Sequence, residues 1–176
     1  VIKTFNLLTY KPVIYVCNVD ENSIINGNQY SKQVEVYSNE KSLDCMKISA
    51  KIESEISSFK LESEKTEFLE SIGLQETSLS KLISKGYEIL DLITFFTSGP
   101  KESRAWSIKK GTFVPDAGAK IHTDFKTGFI KAEVISYEDF IKFNGEAKCK
   151  ENGRLRLEGK EYIVNDGDVI TFRFNV

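Results

Sequence analysis

Lys11-Pro12-Val13-Ile14-Tyr15-Val16-Cys17-Asn18-Val19-Asp20-Glu21 is the stretch on which the fold turns. Five apolar residues in succession, Val13 to Cys17, predict a strand buried on both faces, the mark of a parallel sheet. The run stops at once in Asn18, Asp20 and Glu21, at the carboxyl end of that strand. Open α/β sheets bind their ligands at that end. A side-chain amide and a carboxylate placed there can together read the edge of a nucleotide base.

Outward from this strand, the apolar lead-in of residues 1–10 has no partner of its own, and Asn22 to Gln29 is a polar loop with an Asn26-Gly27 turn. Ser31 is positioned to cap a helix running to about Lys41. Leu43 to Ile48 reads as a second buried strand that ends in Ser49-Ala50-Lys51. Strand, crossover helix and strand make a βαβ unit, expected to be parallel and right-handed. Ile52, Ile56 and Phe59, then Phe68, Leu69 and Ile72, mark two short amphipathic helices around the charged stretch 60–65. Leu79, Leu82, Ile83, Tyr87 and Leu90 keep a helical period straight through Gly86, at a cost of roughly 1 kcal/mol for the interior glycine.

The pattern changes near Ile93. Ile93 to Thr97 and Arg104 to Lys109 are strand-like runs joined by the turn Ser98-Gly99-Pro100-Lys101. Ala117 to Phe129 carries Ile121, Phe125 and Phe129 at four-residue intervals and reads as helical. Ile130 to Ile135 is a strand, and Tyr137 to Phe143 a short helix closed by Asn144-Gly145. Tyr162-Ile163-Val164, the turn Asn165-Asp166-Gly167-Asp168 and a strand with Ile170, Phe172, Phe174 and Val176 on one face complete the chain. Short mixed strands on one or two helices give a small α+β domain.

Bulk composition sets limits. The 176 residues are 40% hydrophobic and 28% charged, with net charge −2. No run approaches the roughly 18 apolar residues of a membrane helix, and no signal peptide is visible, so membrane partners are not expected. Three cysteines, Cys17, Cys45 and Cys149, stand far apart with no Cys-x-x-Cys pair. That argues against zinc or a disulfide framework and predicts a reducing cytoplasm. The sequence opens on Val1 rather than Met, which predicts a processed chain or a piece of a longer one. Positive charge gathers in the second half, where 14 Lys and Arg face 12 acids over residues 101–176.

The spacing Asn18-x-x-Glu21 after a buried strand resembles the base-recognition motif of the YchF family of Obg-like ATPases. These resemble translational GTPases but carry Asn-x-x-Glu in place of Asn-Lys-x-Asp. The second half resembles a TGS domain, a ubiquitin-like β-grasp fold, through Phe95-Phe96-Thr97-Ser98-Gly99, Glu102-Ser103-Arg104-Ala105-Trp106, Lys120-Ile121-His122-Thr123-Asp124-Phe125, Gly128-Phe129-Ile130 and Tyr162-Ile163-Val164-Asn165-Asp166-Gly167-Asp168-Val169.

The resemblance covers nearly the whole chain and implies its carboxyl-terminal identity within the family. Residues 1–91 would be the tail of a P-loop NTPase domain, an α/β remnant built on the βαβ unit, and 92–176 the TGS domain. Asn18, Val19 and Glu21 fall on the base-reading motif, and Ser49, Ala50 and Lys51 on the loop that backs the base. The chain has no Gly-x-x-x-x-Gly-Lys-[Ser/Thr] loop and no Asp-x-x-Gly, so ATP or GTP and Mg²⁺ belong to the intact parent, an ATP/GTP hydrolase by resemblance. Alone, this chain is expected to be inactive, with no cofactor, no catalytic residue and no metal ligand of its own, and to hold nucleotide only weakly.

The resemblance also implies docking onto the ribosome or structured RNA, for which Lys109, Lys110, Lys120, His122 and Lys126 are the candidates. A stand-alone ubiquitin-like adaptor that binds protein or RNA without any nucleotide role is the competing reading. His122, the sole histidine, has no legible catalytic partner. Trp106 reads as core rather than as a stacking platform. Glu62, Glu64, Glu67 and Glu70 read as a solvated helix face, and Lys148, Lys150, Arg154 and Arg156 as surface charge.

Overall fold

A computed structural model describes residues 2–5, 7–100 and 102–175. Val1 and Asn6 of the lead-in, Lys101 of the predicted turn and Val176 of the last strand lie outside the described residues. The chain forms two compact units, Val1–Ile89 and Leu90–Val176.

In the first unit, two short 3-10 turns, Ile2–Phe5 and Leu8–Tyr10, lead into β1 (Ile14–Asn18). A 3-10 turn at Glu21–Ser23 follows, then α1 (Gln29–Glu40), β2 (Asp44–Ile48), α2 (Ala50–Ser58), α3 (Glu62–Ser71) and α4 (Ser78–Ile89). β1 and β2 are parallel, in a register from Ile14 opposite Asp44 to Asn18 opposite Ile48. The expected strand–helix–strand unit is therefore present. Val19, Ile24, Ile52, Ile56 and Leu69 form the core, supported by Cys17, Phe68, Ile72 and Leu74. Burying each such aliphatic side chain contributes roughly 1.5–3 kcal/mol.

Two local readings need correction. The first strand is not buried on both faces, since Val13 is 42% and Val16 39% exposed. Alternation puts Tyr15 and Cys17 on one face, where Tyr15 meets Tyr37 of α1 edge-on with ring centroids 6.0 Å apart. Val16 points the other way, and two strands make too narrow a sheet to be covered on both sides. The first helix begins at Gln29, not at Ser31. Asn28 Oδ1 accepts from the Tyr30 and Ser31 N–H groups at 3.0 and 2.9 Å, while the Ser31 hydroxyl accepts the Asn28 N–H at 2.8 Å. Ser31 is thus the third helical residue of a reciprocal cap.

The second unit contains β3 (Leu92–Ser98), β4 (Ser103–Lys109), α5 (Val114–Ala119), α6 (Thr123–Thr127), β5 (Phe129–Ser136), α7 (Tyr137–Lys142), α8 (Glu146–Glu151), β6 (Arg156–Glu158) and β7 (Asp168–Phe174). The strand order is β4-β3-β7-β5-β6. β7 pairs parallel with β3 and antiparallel with β5. Ile93, Phe95, Ile108, Val114, Ala117, Phe129, Ala132, Val134, Val164, Ile170 and Phe172 meet in one core.

The predicted helix over 117–129 is two helices. His122 takes an extended backbone (φ −157°, ψ 143°) and its ring nitrogen accepts the Asp124 N–H, starting α6 afresh. Ile121 and Phe125 still pack on the core, so the apolar spacing survived the break. His122 itself is exposed rather than partly packed. In β7 the outer face is covered too: Val169 and Ile170 are both buried. α8 and β6 had no apolar period to announce them. α8 buries little besides Cys149, and β6 pairs for three residues only.

Candidate nucleotide-base site

The carboxyl ends of β1 and β2 lie side by side, because Asn18 and Ile48 are register partners. Each strand then opens into a capped turn. Asp20 accepts the Ser23 N–H at 3.0 Å and holds the 3-10 turn that carries Glu21. Ser49, 1% exposed, caps α2 by accepting the Ile52 N–H. Val19 is buried in the core, and its N–H donates to the Ile48 carbonyl at 2.8 Å. These anchors fix two loops that the sequence separates by thirty residues.

Two contacts join the loops directly. Asn18 Oδ1 accepts the Ala50 N–H at 3.1 Å. Lys51 Nζ meets Glu21 Oε2 at 2.8 Å, and the carboxylate raises the lysine pKa above its usual value. The structure thus brings Asn18, Glu21, Ala50 and Lys51 together, with Val19 and Ser49 holding the backbone beneath them. With its oxygen bonded to Ala50, the exposed Asn18 amide still carries two Nδ2 donors. Donor groups from an amide, beside an ion pair that offers both a cation and a carboxylate, fit the mixed donor and acceptor edge of a purine.

The five cationic candidates of the second unit are not gathered in the same way. Lys109 closes β4 and donates through Nζ to the Leu90 carbonyl. Lys110 follows it, and its own N–H donates to the Asp91 carbonyl at 2.8 Å. Lys120 ends α5, His122 caps α6, and Lys126 in α6 pairs with Asp116. Two of the lysines are therefore already held by acceptors. Among the described residues, no cluster of three His, Cys, Asp or Glu is placed to hold a metal ion.

A buried polar knot, which residue types alone did not single out, closes the second unit. Asp168, 3% exposed, accepts from the Tyr162 hydroxyl at 2.8 Å and the Asn165 N–H at 2.9 Å, and lies 3.4 Å from Arg156. Burial, reinforced by donation to Asp168, pushes the Tyr162 pKa up to about 12. The Asp-Gly-Asp turn was the legible part of this knot; the Tyr162–Asp168 pairing is set by the loop.

Residues 92–175 match the family profile described as YchF-GTPase_C, protein of unknown function (DUF933). Over 175 residues, 99% of the chain, the sequence is 51% identical to the ribosome-binding ATPase YchF of Haemophilus influenzae, covering 48% of that protein. It is 47% identical to the protein of the same name from Bacillus subtilis, again over 48% of its length. Over nearly its whole length the chain is similar to YchF proteins. It corresponds to the carboxyl-terminal part of such proteins and spans about half the length of the curated relatives it matches. Its mixed α/β fold is similar to the Schizosaccharomyces pombe YchF GTPase, with a TM-score of 0.84 and 33% identity over 98% of this chain and 46% of that one. A GTP-binding protein from Pyrococcus horikoshii shares the fold at 17% identity, with a TM-score of 0.63 over 94% of this chain and 46% of that one.

Proposed function

We propose that this chain is the base-reading and ribosome-docking part of a cytoplasmic, YchF-type nucleotide-binding ATPase. The carrying observation is the pair of bridges, Asn18 to Ala50 and Glu21 to Lys51, that fuses the loops after β1 and β2 into one surface. Residues 1–91 act as the tail of a P-loop NTPase domain. Residues 92–176 act as a TGS domain of β-grasp type, a reading supported by a mixed sheet whose first and last strands run parallel at its centre. The relatives' name, ribosome-binding ATPase, supports docking by this second unit. Lys109, Lys110, Lys120, His122 and Lys126 are the polar positions proposed to meet ribosomal RNA.

Nucleotides owe much of their affinity to contacts with phosphate and Mg²⁺. The residues of this chain supply the base edge alone, so Asn18 and Glu21 choose the base while the parent's other half holds the phosphates. Calorimetry with ATP on this chain and on the full-length protein tests the division. Millimolar binding at best, about −4 kcal/mol, is expected for the chain, against much tighter binding for the parent. Micromolar affinity of the chain alone would overturn it.

A further inference from the structure

β4 is an edge strand of the second unit, paired with β3 on one side only. At its centre stands the chain's single tryptophan. Trp106 Nε1 donates to Thr97 Oγ1 at 3.0 Å, and its ring lies nearly parallel to Phe95, with centroids 6.5 Å apart and planes 17° from each other. These contacts hold the indole in one plane. Arg104, two residues earlier and on the same strand face, lays its guanidinium over that plane, 4.3 Å from the ring centroid.

Three other cations of the second unit are ion-paired, and one of them, Arg156, also lies over an aromatic ring, that of Tyr162, at the longer distance of 5.6 Å. Arg156 is engaged by Glu158 and Asp168, Arg173 by Glu133, and Lys126 by Asp116. Among the described residues, no carboxylate lies within ion-pair distance of Arg104, which is exposed. It is fixed by an aromatic face and keeps its charge undiminished. Its N–H edge fits two phosphate oxygens at once, and its flat outer face accepts a stacked base.

We infer that Arg104 and Trp106 form an RNA-docking point, at which the guanidinium binds backbone phosphate and extends the indole as a stacking platform. The inference rests on the proposed ribosome association and names where on the second unit that contact is made. Trp106 therefore serves the core with one part of its ring and a partner with another. An acidic peptide satisfies the guanidinium edge but leaves the stacking face unused, so RNA matches the whole feature.

Trp106, having no other tryptophan beside it, reports directly. The 176-residue chain is titrated with a short unstructured RNA and with purified ribosomes at about 50 mM salt, following tryptophan emission and, separately, co-sedimentation. RNA should quench the emission. Arg104→Ala should weaken both kinds of binding by about fivefold or more and remove the quench, with an unchanged melting curve because the side chain is exposed. Arg104→Lys, which keeps charge but not the plane, should retain binding while losing most of the quench. If RNA and ribosomes bind wild type and Arg104→Ala equally, the docking point is elsewhere although the ribosome reading stands. If wild type binds neither, that reading falls as well. Equal quenching by poly-glutamate would replace RNA with an acidic protein partner and overturn the inference.

Discussion

Lys51 reaches from the first turn of α2 to Glu21 in the turn after β1, its Nζ 2.8 Å from the carboxylate. The two residues lie on different loops, so their ion pair spans the site rather than decorating one element. Lys51 is largely open to water and Glu21 partly so, and solvent screens the pair. Its importance lies in what it does to Glu21: the carboxylate proposed to face a base is already bonded to a cation.

This relationship bears on base choice in the full-length protein. Guanine presents two adjacent N–H donors, which a bare carboxylate would meet best; a partly committed Glu21 meets them badly, and unpaired donors cost about 1–3 kcal/mol each. ATP should therefore bind at least as well as GTP. Competitive binding of the two nucleotides to the full-length protein checks this, and a strong GTP preference contradicts it.

Asn18→Ala removes the acceptor for the Ala50 N–H and the amide donors together. Nucleotide affinity of the full-length protein should fall by about tenfold, roughly 1.4 kcal/mol, while the exposed position leaves folding intact. Equal affinities for the variant and wild type would remove Asn18 from the site.

Gly86 lies inside α4 with nothing within 4 Å of where a Cβ would stand. Gly86→Ala should stabilise the first unit by about 1 kcal/mol, read as a higher urea midpoint. Gly128 is the opposite case. A Cβ there would fall 1.8 Å from the Asn175 carbonyl oxygen, so Gly128→Ala should destabilise the second unit by about 3 kcal/mol or more.

The Tyr162–Asp168 bond predicts a pH response. The folded state holds the phenol neutral, with a pKa of about 12 against an ordinary value near 10. Stability is then full below pH ~10 and declines as pH rises toward about 12, because the unfolded chain releases that proton first. Tyr162→Phe should abolish this alkaline step. At neutral pH the variant should lose about 1.5–3 kcal/mol, since the buried Asp168 forfeits one of its donors. Circular dichroism across pH 8–12 follows both effects.

Changing Lys109, Lys110 and Lys126 together to Ala should flatten the salt dependence of ribosome binding by up to about two units, at roughly 0.7–0.9 per phosphate contact. The shortfall from three full contacts reflects the Leu90 and Asp116 acceptors that already occupy Lys109 and Lys126. Co-sedimentation across a salt series measures it, and an unchanged slope would show that these lysines make no contact.

Much of the chain was legible because apolar spacing and caps act locally. β1, β2 and the helix through Gly86 followed from runs and periods, and the Asn18-x-x-Glu21 spacing pointed to residues that do meet Ala50 and Lys51. The break at His122 was hidden because Ile121 and Phe125 reach the core from either side of it. Val16 misled for a different reason: apolar content reports what a strand can bury, whereas burial depends on what is laid against it. The Arg104–Trp106 stack lay beyond any pattern in the sequence, since alternation placed both on one strand face but could not say that the guanidinium would lie flat on the indole.

The position of β7 has a consequence for how the second unit comes into being. β3 with β4, and β5 with β6, are each pairs of strands close in sequence, and among the described residues β7 alone joins the two pairs into one sheet. Until Asp168 to Phe174 dock between Phe96 and the β5 strand, the unit is two separate ribbons, each with an open edge and half a core. The loop closed by that docking runs some seventy residues from β3, so this pairing carries the largest closure entropy among the sheet's paired strands. Folding of the unit should therefore be all-or-none at its carboxyl-terminal strand, and on a translating ribosome it waits for the last strand to emerge.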